Sequence, residues 1–202
     1  CSLSWVSAQK LESPTGTLAL TFQLTPDGQP TYAVSYKNKP VVLSSALGVS
    51  LKDKTALVNH FEVTGTTTHA VNETWKPVLG EQAQIVNHYN ELIVALVQKD
   101  SKVKLNLVFR AFDEGVAFRY DFPKQENLNY FIISDEKTEF NLTENNKVLW
   151  IPGDFDSNEY VYNETKFSEI DNEKLNLNNG IGVKSIPGKY TVQTPLQMKS
   201  PS

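Results

Sequence analysis

Apolar and polar residues alternate with a period of two along most of the chain. Leu18, Leu20, Phe22 and Leu24 alternate with Thr17, Ala19, Thr21 and Gln23; Pro26-Asp27-Gly28 interrupts the run, and Tyr32, Val34 and Tyr36 resume it. This pattern predicts a hairpin with one buried face. The stretch NELIVALVQ (90–98) is apolar on both faces and suits a central strand. In KVKLNLVFRAF, Val103, Leu105, Leu107 and Phe109 share a side. Asp113-Glu114-Gly115 marks a turn, after which Val116, Phe118, Tyr120 and Phe122 point inward. NYFIIS (129–134) and KTEFNL (137–142) read as further strands, and TKFSEIDNEKL (165–175) is the best short helical candidate. Short strands punctuated by Gly, Pro, Asn and Asp predict an all-β fold, a large antiparallel β-sandwich with little helix and one domain. Leu18, Leu20, Phe22, Leu105, Leu107, Phe118 and Tyr120 are expected in its core.

Composition narrows the class without changing this picture. The chain has 202 residues, 40% hydrophobic and 21% charged, with a net charge of −4. That length supports a sizeable core. The charge provides no basic footprint, which argues against nucleic acid as a partner. No stretch approaches the roughly 18 apolar residues of a membrane span. The one cysteine, Cys1, cannot form an internal disulfide or a zinc site by itself. No HExxH, CxxC, GxSxG or P-loop pattern occurs.

The chain opens with CSLSWVSAQ, in which Val6-Ser7-Ala8 has the small residues a signal peptidase prefers. Residues 1–8 are therefore read as the remnant of a secretory signal, leaving 9–202 as the domain. The competing reading is a lipoprotein acylated at Cys1. Both export the protein, to a periplasm or beyond. The closing TPLQMKSPS reads as a cut end.

Two dense regions hold candidate chemistry. In VLWIPGDFDSNEYVY (148–162), Asp154-x-Asp156-x-Asn158 copies the first ligand positions of a calcium loop. The glycine and bidentate glutamate such a loop needs are replaced by Glu159 and Thr165, which rejects an EF-hand. If the segment is extended, Asp154 and Asp156 share a face about 6.6 Å apart, a spacing of interest for acid–base chemistry on sugars. The plainer reading is that they are turn residues binding local amides. The second region, NETWKPVLGEQAQIVNHYNEL (72–92), sets Trp75, Lys76, Glu81, His88 and Tyr89 around Pro77 and Gly80. Aromatic rings beside polar groups suit a sugar face; the plainer reading makes the aromatics core and the rest surface.

SPTGTLALTFQLTPDGQPTYAVSYKNKPVV, ETWKPVLGE, NHYNEL, FRAFDEGVAFRYDFP, WIPGDFDSNEYVY and TPLQMK, in that order, resemble the N-terminal domain of glycoside hydrolase family 97. The resemblance runs from about Leu11 to Met198. It implies a galactose-mutarotase-like β-super-sandwich, here without its last strands, followed by a catalytic (β/α)8 barrel and a C-terminal β-domain. It implies cleavage of α-linked glucosides with inversion or galactosides with retention, a calcium cofactor, and the periplasm of Bacteroidetes-type bacteria. The catalytic carboxylates of that family lie in the barrel. The glutamate that the N-terminal domain lends to calcium is expected in a strand beyond Ser202. No residue of this chain is thereby assigned as catalytic or as a metal ligand. Trp75, Lys76, Glu81, His88, Trp150, Asp154, Asp156 and Glu159 are carried forward as candidates for facing the barrel or the sugar. A free-standing carbohydrate-binding module is the alternative function. A mutarotase-like epimerase is a third, with His88 and either Glu91 or Glu81 as its acid–base set.

Overall fold

The computed structural model describes residues 8–175 and 185–200. Cys1 and all of the signal-remnant segment except Ala8 lie outside the described residues. The chain forms two compact units, Cys1–Thr143 and Glu144–Ser202.

The first unit is built from two antiparallel meanders. One sheet has the order β1 (Gln9–Glu12), β2 (Leu18–Leu24), β3 (Pro30–Tyr36), β4 (Lys39–Ala46). The other has the order β6 (Phe61–Trp75), β7 (Ile85–Gln98), β8 (Lys104–Ala111), β9 (Val116–Asp121). Between them in sequence lies β5 (Val49–Leu51), which pairs with β10 (Ile133–Glu136). The expected hairpin is β2–β3, in register from Leu18 opposite Tyr36 to Leu24 opposite Pro30. Its turn needs Gly28, at φ 78°. The β3–β4 turn places both Lys37 and Asn38 at positive φ, 47° and 64°, the twist a two-residue hairpin favours.

The alternation in sequence becomes a shared interior. Leu20 and Phe22 of β2, Leu92, Val94 and Leu96 of β7, and Leu105, Leu107 and Phe109 of β8 are all buried in one cluster. Phe22 meets Phe109 with ring centroids 5.8 Å apart. β7 is central, as its two apolar faces predict, with β6 on one side and β8 on the other. Of the seven residues expected in the core, Leu18, Leu20, Phe22, Leu105 and Leu107 are buried, while Phe118 and Tyr120 are half-buried. Both of the latter sit on β9, the edge of its sheet. Tyr120 directs its hydroxyl to Thr138 (2.7 Å) and accepts the Gly48 amide (2.9 Å), and burial pushes its pKa up.

Three expected elements differ. Only the end of NYFIIS becomes strand, within β10, and KTEFNL forms a single bridge, Leu142 opposite Val42. There, backbone bonds join Glu139 to Ala46 (2.9 Å) and Leu43 to Asn141 (2.7 Å), and side chains take over the groups between. Ser45 Oγ accepts the Asn141 amide, and the Tyr32 hydroxyl donates to the Glu139 carbonyl. The helical candidate 165–175 is the end of β12 (Asn163–Lys166) followed by 3-10 turns at Phe167–Glu169 and Asn172–Lys174. Ile170 interrupts it at ψ 120°, and the Asp171 side chain accepts the Glu173 amide, an N-cap that starts a new turn.

The second unit centres on β11 (Lys147–Trp150), flanked by β12 and β13 (Gln197–Lys199). Val148, Trp150 and Ile170 form its core. Together the elements make an antiparallel, all-β sandwich fold with only short 3-10 turns. No helix among the described residues is long and apolar enough to cross a membrane.

The β2–β3 turn is pinned to the start of β6: the Phe61 amide donates to the Gly28 carbonyl at 3.0 Å. A Cβ on Gly28 would lie 2.6 Å from the Phe61 nitrogen, whereas one on Gly16 (φ 72°) would meet nothing within 4 Å. Gly16→Ala should thus cost about 1 kcal/mol through its left-handed backbone alone. Gly28→Ala, which adds a clash with fixed backbone, should cost at least about twice that. Urea unfolding midpoints of the two variants check the contrast.

Candidate functional site

The acidic loop begins where β11 ends. Trp150 is buried, 1% exposed, and its Nε1 donates to the Thr165 hydroxyl at 3.0 Å. It is core of the second unit and presents no open face to a sugar. The chain then runs beside residues 191–193: the Gly153 amide donates to the Thr191 carbonyl (3.0 Å) and the Gln193 amide to the Ile151 carbonyl (3.1 Å). Gly153 is required for this close approach, since a Cβ there would lie 3.1 Å from Thr191 Cβ and from the Val192 nitrogen.

Asp154 is half-buried and fully engaged. Its Oδ1 accepts the amides of Asp156 (2.8 Å) and Ser185 (3.2 Å), and its Oδ2 accepts the hydroxyl of buried Tyr160 at 2.5 Å. The Tyr160 hydroxyl and then the Asp156 amide hold the Asp154 carboxyl below the usual carboxylate range. Burial, followed by the bond to Asp154, pushes the Tyr160 phenol up to about 12. Asp156 is exposed and accepts the Ser185 hydroxyl. Gln193 Nε2 donates to the carbonyls of Asp154 (3.3 Å) and Ser157 (2.8 Å). Glu159 is exposed, and its amide donates to Ser157 Oγ at 3.1 Å. Charged acceptors that collect several donors rigidify a loop. Asp154 shapes local backbone, and Asp154 and Asp156 both hold Ser185, one through its amide and the other through its hydroxyl. Among the described residues, no group of three or more His, Cys, Asp and Glu could hold a metal.

Trp75, Lys76, Glu81 and His88 all sit at the free end of the β6–β7 hairpin. Trp75 pairs with Ile85, and residues 76–84 cross between the strands. β8 stops pairing at Asn90, so the last five pairs of the hairpin extend past the sheet. There Trp75 is 46% exposed, Val78 98% and Leu79 89%. Lys76, Glu81 and His88 are exposed as well. Tyr89 is buried between Phe112 (ring centroids 5.0 Å apart) and the Arg110 guanidinium, 4.5 Å from its centroid.

Arg110 was not legible as a partner. Its Nε binds Glu91 Oε2 at 2.7 Å, and Glu91 and Arg110 are opposite each other across β7 and β8. The available signal was the equal spacing of each from the strand ends. This pairing removes one half of the epimerase set: His88 and Glu91 are three apart on one strand and point to opposite faces, and Glu91 is already ion-paired.

The glycosyl-hydrolase 97 N-terminal family model matches residues 11–202. The chain belongs to that family. A retaining alpha-galactosidase of Bacteroides thetaiotaomicron is 28% identical over 123 residues, 59% of this chain and 17% of the relative. Family 97 enzymes from a Pseudoalteromonas strain, solved in complex with panose and with acarbose, are 33% identical with TM-score 0.73, covering 78% of this chain and 24% of theirs. A beta-arabinopyranosidase shares the fold alone, at 24% identity and TM-score 0.65. The chain thus spans about a quarter or less of the relatives it matches. As a glycosyl-hydrolase 97 N-terminal domain, it resembles part of each of these glycoside hydrolases.

The Asp154 geometry has a definite pH signature. Its folded pKa is depressed below the ordinary value of about 3.9. The stability this contributes is present above that value and is lost as pH falls through the lower folded pKa. Asp154→Asn should lower Tm by a few degrees, about 2–5 °C, at pH 7. The gap to wild type should close below about pH 4. Thermal scans from pH 7 to pH 2.5 check this; a gap of constant size would show that the carboxylate charge is not involved.

Proposed function

We propose that residues 9–202 are the non-catalytic N-terminal sandwich of an exported α-glycosidase that cleaves α-linked glucosides or galactosides. The sandwich packs on a (β/α)8 barrel that carries the catalytic carboxylates, and calcium serves the complete enzyme through residues outside this chain. The observation that carries this reading is the family match over residues 11–202, together with relatives of which the matched part is only about a quarter or less. The employment of the loop acids supports it: Asp154 is a backbone-organising acceptor whose two oxygens already take the Asp156 and Ser185 amides and the Tyr160 hydroxyl. The faces offered to the barrel are the exposed hairpin end with Trp75, Lys76, Glu81 and His88, and the exposed Asp156 and Glu159 of the loop.

The runner-up is a free-standing sugar-binding module, and half-exposed Trp75 beside Lys76 favours it. Stacking of a pyranose on that indole would quench its fluorescence. Titration of the chain with panose and with an α-galactoside separates the two readings, saturable quenching favouring the module.

The main reading predicts that the 202-residue chain releases no nitrophenol from aryl α-glucosides or α-galactosides, while the complete protein does. A chelator should abolish hydrolysis by the complete protein, and calcium should restore it. Millimolar calcium should move the Tm of the chain by less than about 1 °C, because a ligand stabilises only a fold that holds its site. Calcium-dependent hydrolysis by the chain alone would overturn the assignment.

A further inference from the structure

We propose that Gln9 is the first residue of the exported protein and that it is closed into a pyroglutamyl ring. The first strand, β1, begins at Gln9, directly after Val6-Ser7-Ala8, the small-residue run behind which a signal peptidase cuts. A cut between Ala8 and Gln9 leaves that strand whole. The strand is worth keeping: Leu11 is 3% exposed and belongs to the core cluster. Asn90 Nδ2 donates to the Glu12 carbonyl at 2.9 Å, and Lys10 pairs with Glu12 at 2.6 Å. Cleavage at this bond makes the first residue of the fold a glutamine, whose side-chain amide is the right length to close on its own α-amine.

The place of Gln9 in the fold favours the closed form. Gln9 lies opposite Phe22 across β1 and β2, and Leu11 lies opposite Leu20. Residues directly opposite share a face, as do residues two apart on one strand. The Gln9 side chain is therefore on the face that carries Leu11 and Phe22 into the core, and the residue is half-buried. A free α-amine would put a cation at the rim of this apolar layer, next in sequence to Lys10. Partial burial penalises a charged group, and the lactam is neutral while keeping an N–H for hydrogen bonding.

The closure needs no co-reactant. The unprotonated α-nitrogen attacks the side-chain carbonyl carbon Cδ; the N–Cδ bond forms and the Cδ–Nε2 bond breaks. The side-chain nitrogen leaves as ammonia, taking the proton that the α-nitrogen gives up. α-Amines titrate near pH 7.7–8.0, so a fraction is unprotonated at neutral pH. The product has lost its terminal charge and offers an aminopeptidase no free amine, at the kind of terminus where proteolysis concentrates. Trimming past Lys10 would uncover Leu11. This inference rests on the proposed reading only in taking the protein as exported.

Mass spectrometry of the N-terminal peptide of the complete exported protein tests it. The peptide should start at Gln9, weigh one ammonia less than its unmodified sequence, and resist stepwise degradation until a pyroglutamyl peptidase removes the ring. Gln9→Asn, whose amide is one methylene too short to close a five-membered ring, should be cut at the same bond and carry a free amine. A nonspecific aminopeptidase should then trim the variant roughly tenfold faster than the wild type, and its Tm should fall as Leu11 is lost. A free amine on Gln9 in the wild type would overturn the modification. So would a first residue other than Gln9, an acylated Cys1 included. Hydrolysis of aryl α-glycosides is measured on the same sample. An inactive protein with the ring would sink the glycosidase reading and leave the modification, and an active one with a free Gln9 amine would do the reverse.

Discussion

Everything in the first unit depends on one apolar contact layer, in which β2 lies over β8 and Phe22 meets Phe109. Each sheet is a meander whose strands pair with their sequence neighbours, so hydrogen bonding alone would leave two separate ribbons. Burying Leu20, Phe22, Leu105, Leu107 and Phe109 fastens them face to face. Burial of each such side chain contributes about 1.5–3 kcal/mol, enough to fix register, because a one-residue slip would turn the whole set outward. The turns follow from this. Gly28 can serve its hairpin only because the turn also abuts Phe61.

The second unit solves a different problem with polar groups. Its apolar core is small, and the long loop after Trp150 has few ladder bonds. Asp154 and Gln193 gather donors and acceptors from several turns, and Asn172 donates to the Gly188 and Thr191 carbonyls. A part-buried network of this kind narrows the loop to one conformation, although among the described residues the Asn172 Oδ1 is left without a partner. An acidic, aromatic loop can therefore be read as a catalytic motif when its acids are structural struts.

Strands with one wet face were legible in the sequence because burial there has period two. The β2–β3 hairpin, the central place of β7 and the β8–β9 turn all follow from alternation and turn residues. KTEFNL was half legible: it keeps backbone bonds to Gly48, Ala46 and Leu43, while the side chains of Ser45, Tyr32 and Glu139 take the remaining groups and interrupt the ladder. Gly153 was not legible as a packing residue, since its contact is with Thr191, a residue 38 positions away. The partners of Asp154 show the same limit. The amide of Asp156 is local and guessable, but the Ser185 amide lies 31 residues on. No pattern in WIPGDFDSNEY announces it. Trp150 was grouped with surface candidates because its neighbours are acidic, although the strand it closes points it into the core.

The central proposal is that the Asp154 and Asp156 carboxylates act as struts of their own loop and take no part in the chemistry. It is tested most directly by kcat/KM of the complete protein carrying Asp154→Asn and Asp156→Asn, measured on an aryl α-glycoside well below its melting transition. Asn keeps the size of the side chain and most of its acceptors while removing the charge. The account predicts a kcat/KM within about twofold of wild type, together with a lower Tm. A loss of tenfold or more, about 1.4 kcal/mol of transition-state stabilisation, at unchanged Tm would contradict it and return these carboxylates to the reaction.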